Sequence, residues 1–253
     1  MDLVLHLANE IHAHVAIAND PDADRLGVAI PQPDGTWRRL AGDEIGWLFG
    51  DYLLQHTEGD DRLVVTTLVS SALLGKMAAA HGVHARETFT GFKWIARAVL
   101  DHPELTFVFG YEQALGYLVT DRPLDKDGIT AAILFAEIAA VAAVEGRTLQ
   151  EWLDDIVGRY GRHVLADAAV RMPPADAAAR VTELRADPPT EINGRAVVST
   201  EEYPEANLLR FELEGGVRVQ IRPSGTEPKV KLYGEAVDAD PRPFVDALAA
   251  LLA

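Results

Sequence analysis

"RLVVTTLVSSALLGKMAAAHGVHARETF", residues 62–89, is the stretch on which the fold turns. Its opening run has no polar alternation, and a strand of that kind must be covered on both faces, as in a layered α/β sheet. The pattern predicts a buried strand over "RLVVTTLV" and a helix over "SSALLGKMAAAHG" with Ser70 or Ser71 as N-cap and Gly82 as stop. A further strand follows over "VHARETF". Outward from there the alternation continues with "FKWIARAVL" as helix, "TFVFG" as strand and "DGITAAILFAEIAAVAAVEG" as a long buried helix. The helix over "TLQEWLDDIVGRYG" opens with Thr148 and Glu151 in capping-box spacing. Strands alternating with helices imply mainly parallel pairing, with functional loops at the carboxyl ends of the strands.

Before this region, Leu3, Leu7 and Ile11 recur at helical spacing. Residues 15–18 and 26–30 then read as two short strands, too little to make a sheet by themselves. Beyond it the character changes. The segment "MPPADAAARVTELRADPPTEING" is loosely helical, "NLLRFEL", "GVRVQIR" and "KVKLYGEA" form an antiparallel meander turning at Gly215 and Gly216, and "PRPFVDALAALLA" is a terminal helix. This is a separate α+β domain.

The composition bounds the function. The chain has 253 residues, 48% hydrophobic and 25% charged, enough for two folded units. A formal charge of −16 argues against nucleic acid or an anionic membrane as partner, since counterion release needs a basic face. Cysteine is absent, which removes thiolate chemistry and disulfides and fits a reducing, cytoplasmic setting. The N-terminal "MDLVLHLANEIHAH" does not have the form of a signal peptide, and Glu137 interrupts the longest apolar run.

Four loops carry candidate chemistry. In "AIANDPDADRLGVAI", Asp20, Asp22 and Asp24 alternate with Pro21 and Ala23, so an extended loop can turn three carboxylates toward one centre. Such hard oxygen ligands suit magnesium or calcium; read alone, the loop has a solvated acidic turn as its lesser alternative. An EF-hand is excluded, because Arg25 and Pro31 stand where glycine and glutamate are required. In "RPSGTEPKVK", Arg222, Ser224, the Gly225 and Thr226 amides, the Thr226 hydroxyl and Lys229 offer donors for one phosphate, the alternative being a plain hairpin. In "FGYEQALGY", Glu112 lies just past a strand, where a carboxylate accepts from two sugar hydroxyls. In "TGFKWI", Lys93 starts a helix whose first amides favour anions; a solvated helix lysine explains it equally well.

In order and approximate spacing, "NDPDADR", "TGFKWI", "GYEQALGY", "DKDG" and "RPSGTEPKVK" resemble the α-D-phosphohexomutases, nearest the phosphoglucomutase and phosphomannomutase branch that includes phosphopentomutases. The resemblance implies that Asp20, Asp22 and Asp24 hold Mg²⁺ and that Arg25 reaches the reacting phosphoryl group. Lys93 assists proton transfer or contacts substrate, and Glu112 grips the sugar. Arg222, Ser224, Gly225, Thr226 and Lys229 bind the other phosphate. It implies a hexose phosphate substrate, a hexose 1,6-bisphosphate intermediate, and a phosphoserine in a Thr-Ala-Ser-His-Asn-Pro type loop. The chain's serines are Ser70, Ser71, Ser199 and Ser224, and none precedes histidine. Ala114 replaces a serine common in the family, which removes one hydroxyl contact to the sugar.

The fold expected is thus α/β. Residues 1–41 would be a remnant of the family's second α/β domain, 42–160 a complete three-layer α/β domain with a mixed sheet, and 161–253 an α+β domain with an antiparallel sheet. Such a chain would lack the nucleophile and be inactive alone. The alternative is a non-catalytic phosphosugar-binding module.

Overall fold

The computed structural model describes residues 1–224 and 227–252, and the chain divides into two compact units, Met1–Tyr160 and Gly161–Ala253.

In the first unit, α1 (Asp2–Glu10) precedes β1 (Ala16–Asn19), β2 (Leu26–Pro31) and β3 (Trp37–Arg39), which form an antiparallel sheet in that order. The two strands anticipated here are joined by a third that only three residues long leaves little trace in the sequence. Helix α1 packs Met1, Val4, Leu5 and Ala8 on Ala16, Ala29 and Trp37. Its other face leaves Leu3 and Ile11 exposed at 89% and 65%, and no side chain caps its start.

The next elements are α2 (Gly42–His56), β4 (Arg62–Thr67), α3 (Leu73–Ala80), β5 (His84–Thr88), α4 (Phe92–Leu100), β6 (Thr106–Glu112) and β7 (Gly116–Leu118). After them come α5 (Gly128–Val144) and α6 (Leu149–Tyr160). The sheet runs β5-β4-β6-β7, with β4 parallel to both neighbours and β7 antiparallel, so it is mixed. Every residue of β4 is buried, as its unbroken apolar run requires. Leu63 and Val65 face α4 through Phe92 and Ile95. On α2, Phe49 meets Phe109, Tyr117 and Phe135 at centroid distances of 5.3 to 5.7 Å.

Three local expectations need correction. Neither serine caps α3: Ala72 stands at the cap, although Ser71 Oγ accepts from the Leu73 amide. Helix α5 is only half buried, because Ile129, Ile133 and Val144 are exposed at 57%, 67% and 89%. Glu112 is the last residue of its strand and does not lie past it. The capping box of α6 forms as expected, with Glu151 accepting from the Thr148 amide at 2.7 Å and Thr148 Oγ1 from the Glu151 amide at 3.1 Å.

Helices α2 and α6 are locked by one buried carboxylate. Asp51 accepts from Trp152 Nε1 at 2.8 Å and from both terminal nitrogens of Arg159 at 2.8 and 2.9 Å. Among the described residues no single helix is long and apolar enough to cross a membrane; α5 and α6 pass that test only as a pair bent by 89°.

The second unit is α+β. It contains β8 (His163–Arg171), α7 (Pro174–Ala186), β9 (Glu191–Ile192), β10 (Arg195–Tyr203), β11 (Leu208–Leu213), β12 (Val217–Pro223), β13 (Lys229–Val237) and α8 (Arg242–Ala250). The six strands pair antiparallel in the order β8-β13-β12-β11-β10-β9, so the anticipated three-stranded meander is the middle of a larger sheet. One sheet face, with Phe211, Val219, Ile221, Val230 and Leu232, packs under α7 and α8. The turn between β11 and β12 has Gly215 and Gly216 at φ +79° and +71°.

Candidate functional site

The acidic loop joins β1 to β2, and it is a turn where an extended loop was expected. The Ala23 amide donates to Asp20 O at 3.0 Å, and Ala23 sits in the left-handed region at φ +59°. The turn still gathers the carboxylates: one oxygen each of Asp20, Asp22 and Asp24 lie within 4.8 Å of one another. Desolvation opposes ionisation of Asp20, but the Arg25 amide and the Arg25 charge outweigh it and hold its carboxyl below the usual aspartate range. Asp24 Oδ1 is enclosed and accepts no hydrogen bond. Hard oxygens gathered at one point, with an enclosed oxygen among them, fit a divalent cation such as Mg²⁺.

Two elements buttress this turn. At the start of α5, Gly128 donates its amide to Ala23 O at 3.0 Å. A Cβ on Gly128 would lie 2.4 Å from Asn19 Nδ2 and 2.5 Å from Arg25 O, so only glycine lets the helix approach. The second buttress is the loop between β6 and β7: the Leu26 amide donates to Leu115 O at 3.0 Å, and Arg25 bridges to Gly116. The acidic turn and the Glu112 loop are therefore stitched together by backbone within one unit.

The Glu112 loop is itself fixed from below. Ser70 Oγ donates to Gln113 Oε1 at 3.0 Å and accepts from the Gln113 amide at 3.2 Å. Asp43 Oδ1 accepts from the Ser71 amide and from Tyr111 Oη, each at 2.8 Å. Glu112 Oε1 accepts a short hydrogen bond from the Gly91 amide at the start of α4. Lys93, two residues on, is exposed, with Nζ 5.2 Å from the Trp94 ring centroid. Ala114 is exposed.

One residue absent from the expected set is placed at the acidic turn by the fold. Lys126 Nζ lies 2.7 Å from Asp24 Oδ2, and that hydrogen bond holds its ammonium above the usual lysine range. The signal available was the "DKDG" segment, which carried the resemblance without a role for its lysine. Arg25 is looser, with Nε 3.7 Å from Asp20 and 3.9 Å from Asp24.

In the second unit, Arg222 lies on β12 opposite Lys231 of β13. The Ser224 amide donates to Lys229 O at 2.9 Å, and Ser224 Oγ accepts from the Glu227 amide at 3.2 Å, closing the loop. Lys229 Nζ pairs with Glu227 at 2.8 Å, and that contact holds the Glu227 carboxyl below its usual range. Gly225 and Thr226, expected to bind phosphate, lie outside the described residues.

The α/β unit with a carboxylate cluster on a loop, followed by an antiparallel α+β unit, defines an α/β protein whose clustered carboxylates could hold a hard cation. The family model "Phosphoglucomutase/phosphomannomutase, alpha/beta/alpha domain III" matches residues 41–160, and the model of the same family's C-terminal domain matches residues 176–241. The chain belongs to the phosphoglucomutase/phosphomannomutase family of α-D-phosphohexomutases and corresponds to the C-terminal part of its members.

A "Probable phosphomannomutase" of Haemophilus influenzae is 38% identical over 248 residues, covering 96% of this chain and 50% of that protein. The crystal structure of a phosphoglucomutase/phosphomannomutase family protein from Burkholderia thailandensis has a TM-score of 0.73 at 21% identity, covering 100% of this chain and 49% of that one. An N-acetylphosphoglucosamine mutase from Aspergillus fumigatus, solved with GlcNAc-6P and magnesium, has a TM-score of 0.60 at 16% identity, covering 98% and 51%. The chain thus spans about half the length of the relatives it matches.

Proposed function

We propose that this chain carries the cation-, sugar- and phosphate-binding parts of an intramolecular phosphotransferase acting between C1 and C6 of a hexose phosphate. The observation that carries the reading is the stitching of the Asp20–Asp22–Asp24 turn to the Glu112 loop through Arg25, Leu26, Leu115 and Gly116. That arrangement supports a reading in which the carboxylates take a cation and Glu112 accepts from a sugar hydroxyl beside it, as phosphoryl transfer at a sugar requires. The family's mutase members, with the Aspergillus fumigatus N-acetylphosphoglucosamine mutase solved with GlcNAc-6P and magnesium and, as a serine-to-alanine variant, with glucose 1,6-bisphosphate, support a hexose phosphate substrate, Mg²⁺ and a hexose 1,6-bisphosphate intermediate.

Mg²⁺ held by Asp20, Asp22 and Asp24 would supply charge neutralisation at the phosphoryl oxygens. Arg25 donates to the reacting phosphoryl group. Glu112, positioned by the Gly91 amide, accepts from sugar hydroxyls, and Lys93 handles a proton at the attacking hydroxyl. Arg222, Ser224 and Lys229, with Gly225 and Thr226, take the phosphate that is not transferred. We assign residues 1–41, 42–160 and 161–253 to the family's second, third and fourth domains, acting in a reducing cytoplasm.

The nucleophile is a different matter. Ser70 and Ser71 are fully buried, Ser70 bonded to Gln113 at the base of the Glu112 loop and Ser71 to the Leu73 amide at the start of α3, so neither is placed to carry a phosphoryl group. This observation favours the second reading for the 253 residues by themselves, a phosphosugar-binding module without turnover. Purified chain given glucose 1-phosphate, Mg²⁺ and a trace of glucose 1,6-bisphosphate should bind sugar phosphate and produce no glucose 6-phosphate. Sustained turnover would overturn the assignment of the nucleophile to a serine outside these residues.

A further inference from the structure

The acidic turn already holds a cation of its own. Lys126 Nζ is 2.7 Å from Asp24 Oδ2, with side chains 24% and 29% exposed, so the pair is partly shielded from water. The lysine stem has little freedom to move away. Its ammonium lies 5.7 Å from the Phe92 ring centroid, and a Cβ on Gly116 would come within 3.2 Å of Lys126 Cδ. Its backbone is pinned beside Asp127, which caps α5, and Gly128, which presses on the turn. Arg25 is the other cation facing these carboxylates, at 3.7 Å or more.

A divalent ion that draws on Asp24 enters within a few ångström of this ammonium, where like charges repel strongly through partly buried protein. The ammonium sits on Oδ2 and the enclosed Oδ1 is the oxygen left for the ion, so the two cations meet on one carboxylate and each weakens the other's hold.

We propose that Lys126 is the resident counter-ion of the metal turn: its ammonium holds Asp24 Oδ2 and opposes a divalent cation on the same carboxylate, so Lys126 sets the metal affinity. The inference rests on the metal reading of the turn. Gly116 pairs with Glu112 across β6 and β7, and the Lys126 stem lies against Gly116, so this ammonium sits beside the sugar loop.

The test is direct titration of the full 253-residue chain with Mn²⁺, read by the loss of free-ion electron paramagnetic resonance signal, with Mg²⁺ as competitor. Lys126→Met keeps the length of the stem and should tighten Mn²⁺ binding about tenfold. Lys126→Arg keeps the charge and should leave affinity within about threefold of the parent. Asp22→Asn in the Lys126→Met chain should weaken binding again, placing the ion at the turn; an affinity insensitive to Asp22 overturns the inference. Tryptophan fluorescence verifies that each variant is folded. Equal Mn²⁺ affinity in the parent and Lys126→Met chains overturns the counter-ion role while leaving the metal site standing. Absence of Mn²⁺ binding in every variant overturns the metal reading and the inference together.

Discussion

Gly42→Ala is the substitution for which the structure makes the sharpest forecast. A Cβ at Gly42 would lie 1.9 Å from Gln113 O and 2.7 Å from its carbonyl carbon, about 1.5 Å short of ordinary contact. The obstacle is backbone, so no rotamer relieves it. Helix α2 cannot retreat, because Ile45, Trp47, Leu48 and Phe49 are buried along it, and Gly46 is pressed on the Tyr111 ring. The Glu112 loop must therefore move, straining the two Gln113 hydrogen bonds to Ser70. Overpacking of this kind costs about 1–3 kcal/mol, and each weakened hydrogen bond about 1 more. The gain in helix propensity from Gly to Ala offsets at most about 1 kcal/mol.

The net loss is about 2–4 kcal/mol, which for a unit of this size lowers Tm by roughly 4–16 °C. The assay is convenient, because Trp37, Trp47, Trp94 and Trp152 all lie in the first unit and their fluorescence follows its melting alone. Gly75→Ala is the control: nothing lies within 4 Å of its Cβ position, so that variant should melt at or slightly above the parent. If Gly42→Ala melts with the parent and keeps its hexose phosphate affinity, the packing of α2 against the Glu112 loop is not the constraint described.

Other consequences are open to measurement. Asp51→Ala leaves the buried Trp152 donor without its acceptor and Arg159 with Asp155 alone, and should destabilise the first unit by about 3 kcal/mol in urea melts; a loss under about 1 kcal/mol would show that Asp51 does not lock α2 to α6. Hydrogen exchange should find α1 poorly protected relative to α2, since Ala8 is the buried residue of α1 and most of α2 is buried; equal protection would contradict this. Hydrogen bonds from Thr148 hold the Glu151 carboxyl below 4.5, so the capping box is intact above that pH and is lost as pH falls through the lower folded value. The protection factors of amides at the start of α6, referenced to intrinsic exchange at each pH, should fall on acidification in the parent and hold steady over that window in Glu151→Gln.

The sequence carried the alternation around β4 because a strand buried on both faces leaves a continuous apolar run. Strand β3 escaped because three half-exposed residues have no period to detect. Strands β8 and β10 are long, but alanine-rich or largely exposed, so their alternation is faint. The carboxylates of the acidic turn were legible as a cluster, whereas the left-handed Ala23 that gathers them was not, since alanine rarely adopts that conformation. Lys126 and Glu227 escaped for a common reason. Each pairs with a candidate site residue through contacts that exist only after folding, 102 residues away for Asp24 and across a tight loop for Lys229. Ser70 was read as a helix cap and instead supports Gln113, a contact between two loops that local sequence does not announce.

The central claim is that one chain offers a cation site, a sugar acceptor and a phosphate clamp to a phosphorylated hexose. Isothermal titration of glucose 1,6-bisphosphate into the purified chain, with and without Mg²⁺, tests it most directly. The account predicts saturable binding that strengthens with Mg²⁺, loses that dependence in Asp22→Asn, and weakens at least about tenfold in folded Arg222→Ala. Binding that ignores Mg²⁺ and both substitutions, or no binding by a folded parent chain, would contradict it.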